Sequence, residues 1–293
     1  SAFRGVAFSY AGRSISRRAL FRQKEDCARA LVRWGISAGD PVLLCAAFSP
    51  EGIAILLALW KLGAVPHLLD PERPPGGLSK AVRRSGARLL LTADRCLPHL
   101  EAALEEEPLL RVVVIPLGGS MRKSVRRRLY QPSLSEREAL PWKDFLASGE
   151  RIPVAPGTAL SGENLAAVVW RGPDYDEERR ISHGELAALM GGWKRALTPR
   201  RKAALELLPP WSLSGLASLL AALDGDGGND HPVAAPFHQQ SDVDELVGVE
   251  HSVAVGKHSL QPQSAGLRID LVVGRLQIAA GEVSRLVAVE RFH

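Results

Sequence analysis

Long apolar runs are missing from this sequence. The longest, residues 52–60 (GIAILLALW), falls well short of the roughly 20 residues a bilayer-spanning helix needs, so no membrane span is expected. No secretory pattern marks the start, and a chain that begins at Ser1 without Met reads as cut from something longer. Aromatics are scarce at 5%, and none interleaves with the densest basic run, residues 122–128 (RKSVRRR). Stacking on bases therefore has no support. Nucleic acid is not an expected partner, despite a net charge of +5, and the basic run reads as a solvated face. Cysteine is scarce too. Cys27, Cys45 and Cys96 are odd in number, far apart and form no CxxC pair, which excludes a disulfide framework and a zinc site. Each lies in or beside an apolar stretch, as a buried reduced thiol would, and a reducing, cytoplasmic location is expected. His231, His238, His251 and His258 lack metal-ligand spacing. The acidic, glycine-rich run 224–230 (DGDGGND) is not a calcium loop: Asn229 and Ala235 stand where an EF-hand needs Gly and Glu. No GxSxG elbow is present, so a serine hydrolase has no support.

What remains is the composition of an ordinary globular chain, 46% hydrophobic and 24% charged over 293 residues, enough for a large core. Residues 16–34 have the period of an amphipathic helix, with Ser16 as N-cap and Gly35 past its end. Residues 42–47 are a short, continuous apolar run of the kind buried on both faces of a parallel sheet. Ser49 and Pro50 open a second helix that Gly63 stops. Residues 65–69, 88–92 and 112–115 read as further strands, with helices between them ending near Gly86 and spanning 97–107. This alternation predicts a parallel sheet with helices on its faces. Residues 118–160 are polar and basic and read as an excursion. Beyond them come a strand at 164–170, a helix from Ser182 to 196 with Glu185 completing a capping box, a strand at 205–208 and a helix at 212–223. Strands at 267–273, 276–278 and 283–289 predict a small terminal β-unit.

In order along the chain, these segments resemble the adenylate-forming superfamily, which includes acyl-CoA synthetases and the adenylation domains of nonribosomal peptide synthetases. Residues 28–44 (ARALVRWGISAGDPVLL) are similar to its "LAxxLxxxGVxxGDxVxL" stretch, and residues 49–51 (SPE) to its "NSPE" turn. Residues 57–72 (LALWKLGAVPHLLDPE) are similar to "LAxLKAGAxxxPLDP", and residues 85–92 (SGARLLLT) to "SGAxxLLT". Residues 164–170 (NLAAVVW) resemble the strand before the family's nucleotide loop, and residues 182–186 (SHGEL) the helix start after it. Residues 209–216 (PPWSLSGL) resemble "PLFHxxGL", the acyl-pocket segment, carried here by Trp211, Ser212 and Gly215. Ser212 stands in place of the family's histidine.

The resemblance implies an α/β fold of the superfamily's N-terminal core, layered αβαβα sheets with a small terminal β-subdomain and no C-terminal lid. It implies a first αβ subdomain at 1–118, a link at 119–160, a shortened second αβ subdomain at 161–250 and a β-rich part at 251–293. It also shows what has changed. The family's phosphate loop, "SGTTGxPKG", wraps ATP phosphates with backbone N–H groups and a lysine. Its place is held by Arg171, Gly172, Pro173, Asp174, Tyr175, Asp176, Glu177, Glu178, Arg179 and Arg180. Four carboxylates there would repel phosphate. The "YGxTE" motif, the ribose-binding "TGD" aspartate and the lid lysine have no counterpart in this sequence. The expected function is a catalytically inactive, adenylation-domain-like module with no cofactor and no catalytic or metal-binding residue of its own. Its expected partner is a protein or the neighbouring domains of a larger peptide or polyketide synthase. The alternatives are an acyl- or aminoacyl-adenylating ligase using ATP and Mg²⁺ completed by a partner chain, and a sensor that keeps an acyl pocket.

Overall fold

A computed structural model of the chain describes residues 5–70, 75–130, 139–154, 157–171, 175–196, 204–205, 211–224, 233–235, 258–260, 269–274 and 287–289. An antiparallel hairpin comes first, β1 (Val6–Tyr10) and β2 (Arg13–Ser16), whose turn uses the left-handed freedom of Gly12 at φ 77°. The Ser16 hydroxyl accepts from the Ala19 N–H at 3.1 Å and starts α1 (Arg17–Arg33). After β3 (Pro41–Cys45), Ser49 caps α2 (Pro50–Leu62) in the same way, accepting from the Gly52 N–H at 3.1 Å. Gly63 closes that helix in the left-handed conformation. Then come β4 (Val65–Leu68), α3 (Pro75–Ser85), β5 (Leu89–Ala93), α4 (Leu97–Glu105) and β6 (Arg111–Ile115), at or beside the boundaries that the apolar pattern predicts.

The polar stretch after β6 is more structured than its composition suggests. It carries α5 (Lys123–Leu129), β7 (Leu140–Pro141) and α6 (Trp142–Ser148), and β7 pairs with β6. Its apolar residues are few but large: Trp142 and Phe145 are buried in the main core. β8 (Leu165–Arg171) and β9 (Glu177–Ser182) follow, then α7 (His183–Ala196). The capping box at the start of α7 is made in full. The Ser182 N–H donates to Glu185 Oε2 at 2.9 Å, and the Glu185 N–H donates to Ser182 Oγ at 3.2 Å. The remaining elements are β10 (Ala204–Leu205), α8 (Leu213–Leu223), β11 (Val233–Ala235), β12 (His258–Leu260), β13 (Ile269–Gly274) and β14 (Val287–Val289). The strand expected at 276–278, the run 225–230 and His231, His238 and His251 lie outside the described residues.

Seven strands form the central sheet in the order β7-β6-β5-β3-β4-β8-β9, parallel throughout except for β9 at the edge. β8 pairs with β4 and extends the sheet begun by β3. A second sheet, β10-β11-β1-β2, contains the N-terminal hairpin, and β12-β13-β14 form a third. Alternation along the central strands sends Leu44, Leu91, Val113 and Val169 to one face, where α1, α2, α6, α7 and α8 pack and the core continues to β1. Leu43, Leu90, Val112 and Val168 face the other way, against α3 and α4. The strand pattern is apolar at successive positions because both faces are covered. Among the described residues no helix is long and apolar enough to cross a membrane.

Candidate functional site

The strand signals around the expected nucleotide loop are real, and they shorten the loop itself. Arg171 is the last residue of β8, and Glu177, Glu178, Arg179 and Arg180 already belong to β9. The two strands are in antiparallel register, Trp170 opposite Glu178, Val169 opposite Arg179 and Val168 opposite Arg180. Only residues 172–176 connect them. Gly172, Pro173 and Asp174 lie outside the described residues.

Tyr175 is the anchor of the described part. It takes a left-handed backbone conformation, φ 50°, and turns its ring inward until it is 2% exposed. Its hydroxyl donates to the Asp70 carbonyl at 2.6 Å and accepts from the Asp70 N–H at 2.8 Å. The ring lies against Gly77, where an added Cβ would meet Tyr175 Cδ2 at 2.6 Å. Charged neighbours close the outer side. Arg84 donates to the Asp176 carbonyl at 2.7 Å, pairs with Glu178 at 3.7 Å and sits over the Trp170 ring. Arg180 pairs with Glu178 at 3.5 Å and Arg179 with Glu185 at 3.4 Å. Both arginines are thus already engaged by carboxylates of the chain. Each such exposed pair contributes little stability, about 0–1 kcal/mol.

The segment expected to carry an acyl pocket, Trp211 to Gly215, has a local structural task. Ser212 Oγ accepts from the Gly215 N–H at 3.0 Å and caps α8, with Trp211 half-buried just before it. Serine is among the residue types best suited to that cap position.

Sequence reasoning missed a second polar cluster entirely. In open α/β sheets, ligands bind beyond the strand carboxyl ends where strand order reverses. Here the order reverses beside β3, and the space beyond β3, β5 and β6 is taken by the chain's own groups. Ser120 Oγ donates to Glu51 Oε1 at 2.5 Å, and the Tyr10 hydroxyl donates to the Leu117 carbonyl at 3.0 Å. The Tyr130 hydroxyl donates to Asp94, which also accepts from the Leu117 N–H at 3.4 Å. Gly118 makes room for the Tyr130 ring: a Cβ there would lie 2.4 Å from ring carbons. Burial raises the pKa of Glu51 and of Asp94, and burial followed by the charges of these two acids raises that of Tyr10. The partners lie far apart in sequence, so no motif spacing announces them.

His67, on β4, is buried beside Trp170, and neither His67 Nδ1 nor Trp170 Nε1 has a hydrogen-bond partner among the described residues. Burial, helped by the charge of Arg180, holds the His67 pKa down to about 4. The unfolded chain binds a proton there from about pH 6.5 downward, while the folded chain refuses it until about 4. Stability contributed by the neutral imidazole is therefore present above that window and lost as pH falls through it. Between about pH 7 and pH 5, His67 accounts for roughly 2 kcal/mol of the decline in unfolding free energy. Urea melts of the His67→Leu variant will show a decline smaller by that amount.

The AMP-binding enzyme family model matches residues 4–171. Naringenin synthase of Pestalotiopsis fici is 32% identical over 126 residues, 43% of this chain and 5% of that protein. Nonribosomal peptide synthetase 8 of Aspergillus fumigatus is 36% identical over 73 residues, 25% of this chain and 1% of that protein. The chain thus spans a small part of the length of these relatives. Among solved structures, coronafacic acid ligase from Pectobacterium brasiliense superposes with a TM-score of 0.63 at 16% identity, covering 83% of this chain and 44% of that one. A benzoate CoA ligase from Burkholderia xenovorans gives the same TM-score and identity, with 84% and 45% covered. At such identities the likeness is one of fold, and the fold is the layered α/β core of these ligases. With the family model matched over more than half its length, this chain belongs to the AMP-binding enzymes.

Proposed function

We propose that this chain is a catalytically inactive member of its family, an adenylation-domain-like module that serves as a structural or docking element in a peptide or polyketide synthase. The observation that carries the reading is Tyr175. A phosphate cradle works by leaving several backbone N–H groups aimed at an open space. Here the described part of the loop turns a bulky ring into the core and bonds it to Asp70 at both donor and acceptor, and the residues that follow it, Asp176, Glu177 and Glu178, are acidic. Arg179 and Arg180, the cations that could draw in a triphosphate, are paired with Glu185 and Glu178. These residues do not fit ATP and its Mg²⁺. The region matched by the family model ends at Arg171, immediately before this loop. The segment's relatives are long synthases of which it matches a small part, which supports a role beside other domains.

Isothermal titration of the chain with ATP and Mg²⁺ tests the reading. No binding in the micromolar range is expected, and no pyrophosphate exchange with a panel of carboxylic acids. Micromolar ATP binding, or exchange that depends on Arg179 or Arg180, would overturn it.

A further inference from the structure

Two stretches of the sequence hold no acidic residue, 1–24 and 108–135. The fold brings parts of both together. α5 packs on the turn of the β1–β2 hairpin. The Arg122 N–H donates to the Ala11 carbonyl at 3.2 Å, and an added Cβ on Gly12 would lie 3.4 Å from Val125 Cγ2 and 3.6 Å from Arg122 Cβ. Just past the other end of α5, Tyr130 is buried and donates its hydroxyl to Asp94. The short helix is thus held at both ends, with Val125 half-buried on the hairpin side. Arg122, Lys123, Arg126, Arg127 and Arg128 are all exposed, as is Arg13 in the hairpin next to Gly12.

Among the described residues, none of these six cations has an ion pair. The ion pairs lie elsewhere, on α1, α2, α3, β9 and α7. The chain has 37 Lys and Arg against 32 Asp and Glu; without these six it has 31 against 32, so the net charge of +5 resides here. The arrangement works against the helix that carries it. Arg122 and Lys123 stand at the positive end of the helix dipole, with no acid in the first turn. Arg122 and Arg126, and Lys123 and Arg127, are like charges four residues apart. An opposite charge brought from outside would relieve both conflicts.

We propose that α5 and the hairpin turn form a docking surface for an acidic face of another protein domain. The inference rests on the docking role proposed above, and it names the face and the chemistry of the partner. Charge complementarity calls for an anionic partner. Two observations favour protein over nucleic acid or lipid. The exposed large apolar side chains of the described residues are Phe21, Leu109 and Leu160, and none is on α5 or the hairpin. A surface that stacks bases, or a helix that inserts into a bilayer, would present such groups among its cations. In addition, this chain matches only 5% and 1% of two synthase relatives, so far more protein adjoins the matched segment there than lies within it.

The test measures binding of a labelled helical peptide with glutamate at every fourth position to the 293-residue chain, by fluorescence anisotropy. The salt is about 0.1 M, where charges more than roughly 10 Å away are screened. Duplex DNA, and vesicles of phosphatidylcholine and phosphatidylserine in equal parts, are the competing probes. The peptide is expected to bind, and the double variant Lys123→Glu/Arg127→Glu to weaken it roughly tenfold. That variant puts an acid in the first turn of α5, which suits the helix dipole, so loss of the fold does not explain the loss of binding. Lys80→Glu/Arg88→Glu changes the net charge equally, from exposed positions on α3 and just before β5, and is expected to alter the affinity by no more than about twofold. An equal loss in both double variants would show attraction to net charge alone and overturn the inference. So would absence of peptide binding, or tighter binding of DNA or vesicles through Lys123 and Arg127. Titration with ATP and Mg²⁺ on the same chain keeps the two readings apart. ATP binding with the peptide still held at α5 sinks catalytic inactivity alone, whereas a chain that binds neither sinks the docking face alone.

Discussion

Phe145→Ala lowers the unfolding free energy by roughly 3–5 kcal/mol, read as a shift in urea midpoint at unchanged slope. The ring is fully buried on α6. It meets Trp34 edge-on, with centroids 5.6 Å apart, and Trp142 at 5.5 Å. Around it, Trp34 Nε1 donates to Ser148 Oγ at 3.1 Å, which ties α1 to the end of α6. Gly149 brings the backbones so close that an added Cβ would lie 2.4 Å from the Ala30 nitrogen. The site cannot collapse to fill the cavity, because α1 is held on its far side by the main core. Against a total of about 5–15 kcal/mol for a domain, the loss is a large fraction. A loss below about 1 kcal/mol would show instead that α6 is an appendage whose packing is not coupled to the rest of the fold.

That helix also marks where the amino-acid pattern stops being readable. The caps at Ser16, Ser49 and Ser182 were legible because a cap is a bond between residues three apart. The strands β3 to β6 were legible because burial on both faces leaves a short, unbroken apolar run. α6 has only two fully committed core residues, Trp142 and Phe145, and their spacing within one turn carries no period. β1 and β2 do not figure among the strands expected from sequence; β1 pairs with β2 in a hairpin and also with β11, more than 220 residues later. Pairing at that distance leaves no local trace.

The candidate site divides along the same line. The strand before the loop, the acidic loop and the capped helix after it could all be placed from sequence, because each is a contiguous segment. What Tyr175 does could not, since its partner Asp70 is 105 residues away. The cluster of Tyr10, Glu51, Asp94, Ser120 and Tyr130 was invisible for the same reason. The Tyr10–Leu117 bond alone joins residues 107 apart.

Tyr175→Ala is expected to cost roughly 3–5 kcal/mol, and Tyr175→Phe about 1–3 kcal/mol. The difference separates the two things this side chain does. Phenylalanine keeps the ring against Gly77 and Trp170, the latter at 6.2 Å, and removes only the hydroxyl. The N–H and carbonyl of Asp70 each then lose a bond, and the unmet polar groups set the loss. Alanine also removes the ring and leaves a cavity beneath β8 and β9. The left-handed backbone at this position disfavours both replacements as it does tyrosine, so it cancels from the comparison. Neither variant is expected to gain affinity for ATP, because opening the loop leaves its carboxylates in place and frees neither Arg179 nor Arg180 from its partner. If Tyr175→Ala were as stable as wild type and bound ATP with Mg²⁺ by calorimetry, the ring would be a removable plug over a working cradle. The ordering expected here, alanine worse than phenylalanine and both silent toward nucleotide, is that of a residue whose task is to hold the sheet edge closed.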